Sequence, residues 1–397
     1  MTLDIPKEPR IPMWLDVDTG HDDAYALLLA AHSPRTKLLG VSTVHGNAPL
    51  KQTTYNTRSI LQAIGRIDIR VHSGSAKPIT RDAVHAADIH AGESGLDGVT
   101  LLPEPVTRAV EDIDFLEAMY AALMATPVQT AWLISTGALT NIGLVFKKYP
   151  DLAEHLKGLS IMGGAIGGGF TDAPMGKVKG EGERFGNWTA FAEFNIYCDP
   201  EAAHSIFANP VLMRKTTLIP LDVTHQVLAT ASVRHDLLYG YNSSSEAVSA
   251  SGPDGKLSPL RSLFAQILSF FAHTYAEVFA LTLGPPLHDP LAVAAVIEPD
   301  IFDDHNGERF LVDVVTDGAH SWNQDFVGEL GRTKVAKLAA GEPGVRIPRA
   351  LDVGRFWYLI EMALRSADAV SPLAEISLEE IKKLGILEGL EVDGARA

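Results

Sequence analysis

Residues Leu15-Asp-Val-Asp-Thr-Gly-His-Asp-Asp-Ala-Tyr-Ala-Leu-Leu-Leu29 pass from one apolar run into another through four aspartates: Asp16, Asp18, Asp22 and Asp23. The first run predicts a buried strand over 12–18, and the apolar spacing of the second predicts a helix over 22–32. Gly20 allows a turn conformation closed to other residues, and the aspartates gather at the helix N-terminus, where the dipole favours carboxylates. Helix capping needs one such group, or at most two. Four carboxylates at one strand end repel each other unless a cation sits among them, and an all-oxygen cluster suits Ca²⁺ or Mg²⁺.

The same strand-turn-helix rhythm continues outward. Residues 38–45 form a second β-like run ending in Gly46-Asn47, and residues 132–135 and 159–162 are short apolar runs, each followed by glycine. A helical stretch from Thr140 to just before Pro150 separates the last two. This alternation predicts an α/β fold, with an open, mostly parallel (mixed) sheet and helices on both faces. Ligands of such sheets bind beyond the carboxyl ends of the strands. Asp18, Asn47, Thr136 and Met162 all take strand-end positions, so four distant segments are expected to converge on one crevice.

Two stretches break the rhythm. Residues 163–186 are rich in glycine and read as a long loop over the strand-end face, and 241–260 is polar and leads into a helix over 261–281. Late strands are expected at 309–315 and 325–327. Asp352 is placed to cap a helix over 353–367, and Ser377, with Glu380 three residues on, to cap another before a tail at 391–397. One domain over 12–370 followed by a C-terminal helix and tail over 371–397 is the expected organisation.

With 397 residues, 46% of them hydrophobic, the chain can bury a large core. Its formal charge of −16 argues against nucleic acid or an anionic membrane as partner and favours a small neutral or cationic substrate. The first ten residues lack the apolar core of a signal peptide, and no apolar run reaches the about 18 residues of a membrane span, so a cytoplasmic location is expected. The single Cys198 excludes an intrachain disulfide and a thiolate metal cluster; in its apolar run it reads as a small packed side chain.

The acidic turn resembles that of the nucleoside hydrolases, the inosine-uridine preferring N-ribohydrolases, whose first strand ends in Asp-x-Asp-x-Gly-x-Asp-Asp-Ala. The resemblance extends in family order from residue 12 to about 330. It takes in Val44-His-Gly-Asn47, Ser135-Thr-Gly-Ala-Leu-Thr-Asn141, Met162-Gly-Gly, Glu193-Phe-Asn195 with Asp199-Pro-Glu201 as a sugar-binding segment, and His288-Asp289-Pro290. It implies a Rossmann-like fold and Ca²⁺-dependent hydrolysis of the N-glycosidic bond of ribonucleosides.

Carried over, the resemblance gives Ca²⁺ the ligands Asp18, Asp23, the Thr136 carbonyl and Asp289, with Asp16 in support. Asp18 would also be the general base. Asp22 and Asn195 would bind the ribose 2′ and 3′ hydroxyls, Asn187 and Glu193 the 5′ hydroxyl, Asn47 would support the metal side, and Met162 would lie under the sugar. Glu193 and Asn195, two residues apart, are expected to share one side of an extended segment. His288 would be the acid that protonates the leaving base, His90 would cover that base, and Tyr275 is a further candidate to reach it. Purine-selective branches usually carry Trp where this chain has His288, so a pyrimidine-capable or nonspecific enzyme acting on uridine and inosine is implied, as is a homodimer or homotetramer. Two alternatives stand beside this reading. A haloacid-dehalogenase-like, Mg²⁺-dependent phosphatase shares the strand-end Asp-x-Asp, but leaves His288-Asp-Pro and Glu193-Phe-Asn unexplained; a non-catalytic ribose-binding homologue would keep the pocket without turnover.

Overall fold

The computed structural model describes residues 9–86, 94–178, 184–240, 257–321, 328–374, 379, 383 and 384. At its centre is a six-stranded sheet of β1 (Ile11–Val17), β2 (Thr36–Thr43), β3 (Val71–Ser73), β4 (Trp132–Ser135), β5 (Gly158–Met162) and β6 (Thr216–Ile219). The strand order is β3-β2-β1-β4-β5-β6, and every pairing in this sheet is parallel. The antiparallel pairs stand apart from it: Phe302–Asp303 with Ala350–Leu351, and Phe310–Val314 with Thr333–Lys337.

Buried parallel strands are apolar on both faces, and β1 shows the consequence. Met13, Leu15 and Val17 enter one core with α1 (Asp23–His32) and the helices Pro259–Phe279, Pro290–Ile297 and Val353–Asp368. Trp14 points the other way, into a second core with the helices Phe115–Met124 and Thr140–Lys148. Between β1 and β4 the winding direction reverses, which opens a crevice at their carboxyl ends. Because α1 packs against Pro290–Ile297, the N-termini of these helices bring Asp22, Asp23 and Asp289 to one place.

Several expectations change. Residues 194–198 are not extended: Phe194–Cys198 is a short helix that Glu193 caps through the backbone N–H groups of Asn195 and Ile196. Gly20 does not adopt a left-handed φ; its part is to donate its N–H to Asp23 Oδ2 at 2.9 Å. Strands β3, β6 and Thr333–Lys337 went unread. The expected strand at 325–327, the Ser377 cap and the tail at 391–397 lie outside the described residues, as does most of 241–260. Among the described residues, no helix is long and apolar enough to cross a membrane.

Candidate active site

Asp18 follows β1 directly and is fully buried. Its Oδ2 accepts the Asn47 N–H at 2.8 Å, whereas Oδ1 has no hydrogen-bond partner among the described residues. Glycine is required on both sides: a Cβ on Gly46 would lie 2.0 Å from Asp18 Oδ2, and one on Gly137 2.8 Å from Oδ1. Asp23 is held by more donors. Its Oδ1 accepts from Thr136 Oγ1 at 2.7 Å, and its Oδ2 accepts from Gly20 N and, at 3.3 Å, Asn47 Nδ2.

Asp22, Asp23 and Asp289 each offer an oxygen within 4.8 Å of the others'. Burial raises the pKa of all three, with repulsion from Asp23 adding to the rise at Asp22, which reaches about 7. Burial and then the Asp23 charge likewise raise Asp18 well above the usual carboxylate range. Carboxylates packed this closely with an orphaned oxygen beside them are the donor set a hard cation requires, so the residues fit a metal. The Asp22 side chain makes no capping hydrogen bond to α1.

Asp16 lies beneath this floor. Its Oδ1 accepts from Asn141 Nδ2 at 2.8 Å and from Ser42 Oγ, its backbone carbonyl accepts from Thr136 N at 2.9 Å, and burial lifts its pKa to about 7. Asn141 also accepts from Ser75 N and donates to the Thr43 carbonyl, tying β1, β2 and the segment after β3 to the helix Thr140–Lys148. The sequence reading assigned it no role. Its place in Thr-Asn141 after the strand-end glycine was the available signal.

The cavity above the floor is lined by Asp22, Asn47, Thr136, Met162, Asn187, Glu193, Asn195, His288 and Asp289, together with Ala86, Phe194, Phe271 and Tyr275. Asp18 and Asp23 lie below the lining. Asn195 Nδ2 donates to the Thr136 carbonyl at 2.8 Å and approaches Met162 Sδ at 3.5 Å. Glu193 accepts three backbone N–H groups, from Gly164, Asn195 and Ile196, yet burial still raises its pKa. Asn187 Oδ1 accepts the Phe194 N–H at 2.9 Å.

The opposite wall is aromatic. His288 Nε2 lies 2.7 Å from the Tyr275 hydroxyl and Nδ1 lies 2.7 Å from Thr224 Oγ1. Phe271 packs edge-on to Tyr275, with ring centroids 4.7 Å apart. Asp199 and Glu201 are not among the lining residues. Asp199 caps the helix Pro200–Phe207 and accepts Ile79 N, while Glu201 pairs with Arg81, so both anchor the segment leading to Ala86. Cys198 is buried and free. His90 lies outside the described residues.

A sheet with this winding, an acidic floor at its switch point and polar side chains around the pocket above it suit a hard cation beside a small polar ligand. The sequence profile of the inosine-uridine preferring nucleoside hydrolases matches residues 13–358. The uridine nucleosidase of Saccharomyces cerevisiae is 40% identical over 371 residues, covering 92% of this chain and 98% of that protein. The pyrimidine-specific ribonucleoside hydrolase RihA of Escherichia coli is 35% identical over 294 residues, covering 74% and 81%. In fold, the purine-preferring ribonucleoside hydrolase from Gardnerella vaginalis superposes with a TM-score of 0.69 at 24% identity, covering 91% of this chain and all of that one. The chain belongs to the inosine-uridine preferring nucleoside hydrolase family and is a nucleoside hydrolase. The phosphatase reading is set aside.

Proposed function

We propose that this enzyme is a Ca²⁺-dependent ribonucleoside hydrolase that accepts pyrimidine nucleosides, uridine among them, alongside inosine. One observation carries the reading: a buried, cation-demanding carboxylate cluster faces an aromatic wall that ends in the hydrogen-bonded pair His288 and Tyr275. The relatives named for uridine and pyrimidine substrates support the base preference.

Asp18, Asp23, Asp289 and the Thr136 carbonyl are the residues that would hold Ca²⁺. When bound, it supplies the charge that eases deprotonation of water and gathers the ribose diol. Asp18, whose Oδ1 is unclaimed, takes the proton from the attacking water. Asp22, on the cavity lining, and Asn195 hold the 2′ and 3′ hydroxyls; Glu193 and Asn187 hold the 5′ hydroxyl, with Asn47 bracing the floor and Met162 beneath the sugar. As water attacks C1′, the bond to the base breaks, positive charge develops on the ribose ring, and the base leaves with a proton delivered through His288. The reaction inverts C1′, because water enters opposite the departing base. The same reading places the enzyme in the cytoplasm as a homodimer or homotetramer.

The test is a kcat/KM panel over uridine, cytidine, inosine, adenosine and 2′- and 3′-deoxynucleosides, with and without a chelator. We expect ribose release from uridine and inosine, loss of activity on chelation with recovery on adding Ca²⁺, and a drop of about 10⁴-fold without either hydroxyl. Turnover indifferent to chelation, or efficient deoxynucleoside cleavage, contradicts the assignment.

A further inference from the structure

His288 is held at both ring nitrogens, and the partner on the far side from the pocket belongs to a segment with no other part in the reaction. Thr224 closes the helical turn Leu221–Thr224 that follows β6, and it is fully buried. Its Oγ1 lies 2.7 Å from His288 Nδ1 and donates, at 3.4 Å, to the Leu221 carbonyl. On the pocket side, the Tyr275 hydroxyl lies 2.7 Å from Nε2 and also meets the Asn187 side chain.

We propose that Thr224 is a positioning residue for proton delivery: its hydroxyl oxygen accepts the His288 Nδ1–H, leaving Nε2 as the nitrogen that exchanges a proton with Tyr275. A neutral imidazole has one donor nitrogen and one acceptor nitrogen, and the hydrogen bond made by one fixes the role of the other. With the Thr224 hydroxyl hydrogen given to the Leu221 carbonyl, its oxygen is left to accept at Nδ1. When His288 carries a second proton on Nε2, that N–H donates to the Tyr275 oxygen, and the Tyr275 O–H turns into the cavity. As the glycosidic bond breaks, the leaving base takes the Tyr275 proton and the phenol oxygen takes the Nε2 proton. His288 ends neutral with its Nδ1–H still on Thr224. The balance closes without a charged threonine or an imidazolate.

This inference rests on the reading of His288 as the acid, and the experiment separates the two. Thr224→Val removes the acceptor while keeping the shape, and Thr224→Ser keeps the acceptor. At a single pH, with Ca²⁺ supplied, we expect Thr224→Val to lower kcat on uridine by about 10- to 100-fold, the range set by a buried donor left unpaired. Hydrolysis of p-nitrophenyl riboside, whose leaving group needs no proton, stays within about twofold by the same reasoning, and Thr224→Ser stays within about threefold on both substrates. Imidazole ¹⁵N spectra of the histidine-labelled enzyme, with the His288 signals identified by their loss in His288→Gln, should show the wild-type proton on Nδ1, and a shifted tautomer in Thr224→Val. Equal losses on both substrates, no loss on uridine, or a wild-type neutral ring carrying its proton on Nε2 overturns the proposal. The wild-type spectrum and the serine variant decide even if Thr224→Val does not fold. A wild-type enzyme that leaves uridine intact would instead count against the substrate reading.

Discussion

The floor and the wall of the pocket are held by different means. On the floor, Asp23 is braced by Gly20, Asn47 and Thr136 from the ends of β1, β2 and β4, and Asp18 is held by the Asn47 N–H between the closely packed Gly46 and Gly137. On the wall, Phe271 and Tyr275 hang from one long helix and His288 from a loop; ring contacts and side-chain hydrogen bonds hold them. A rigid, charged floor suits what every ribonucleoside shares, the ribose and its developing charge. An aromatic wall suits what differs between them, the base and its need for a proton. Damage to the floor should therefore be blind to the leaving group, and damage to the wall should not be.

The largest effect tests the floor. Asp18→Asn keeps the shape between Gly46 and Gly137 and removes the base, so kcat should fall at least about 10³-fold, within the range of general-base loss. Uridine and p-nitrophenyl riboside should suffer alike. Retention of more than about a tenth of kcat on either substrate would refute the role of Asp18. His288→Ala addresses the wall and should cost uridine about 10²- to 10⁴-fold while sparing p-nitrophenyl riboside. Parallel losses on the two would erase the division between the halves.

The same contrast explains what was legible in the chain. The floor is written locally: Asp18, Asp22 and Asp23 fall within one turn, and Asn47 and Thr136 follow short apolar runs whose period marks strand ends. His288-Asp289-Pro290 is local as well, because Pro290 opens the helix that Asp289 precedes. The Glu193 segment misled because spacing of two suits a strand, whereas a carboxylate accepting N–H groups two and three residues ahead starts a helix. Strand β6 opens on two threonines, and Thr333–Lys337 carries two lysines and buries one residue, so neither shows the apolar run that marked β4 and β5. Thr224 carried no signal of its function and Asn141 only its place in a motif, since each acts through a partner far away in sequence: His288 for one, Asp16 for the other.

The smallest effect compares two buried histidines, one under each half. His45, at the end of β2 beside the floor, holds Thr140 Oγ1 through Nε2 at 3.1 Å; His225, with its ring centroid 5.4 Å from that of His288, holds the Pro174 carbonyl through Nδ1 at 2.6 Å. The remaining nitrogen of each is buried without a hydrogen-bond partner among the described residues, and burial lowers the pKa to about 3 for His45 and about 4 for His225. Unfolded, each titrates near about 6.5. Below that pH the unfolded chain takes up protons that the folded one refuses, so stability rises with pH. The contribution of each ring is complete above about pH 6.5 and is lost as pH falls toward its folded value. The buried carboxylates of the floor act in the opposite sense in every variant, so the rings are read by difference: as pH falls from 7 to about 4.5, the melting temperatures of His45→Gln and His225→Gln should each rise relative to the wild type, changing the slope. A slope unchanged in both variants would show that neither ring is kept neutral by the fold. A change confined to His225→Gln would show that the wall, and not the braced floor, is where acid first opens the site.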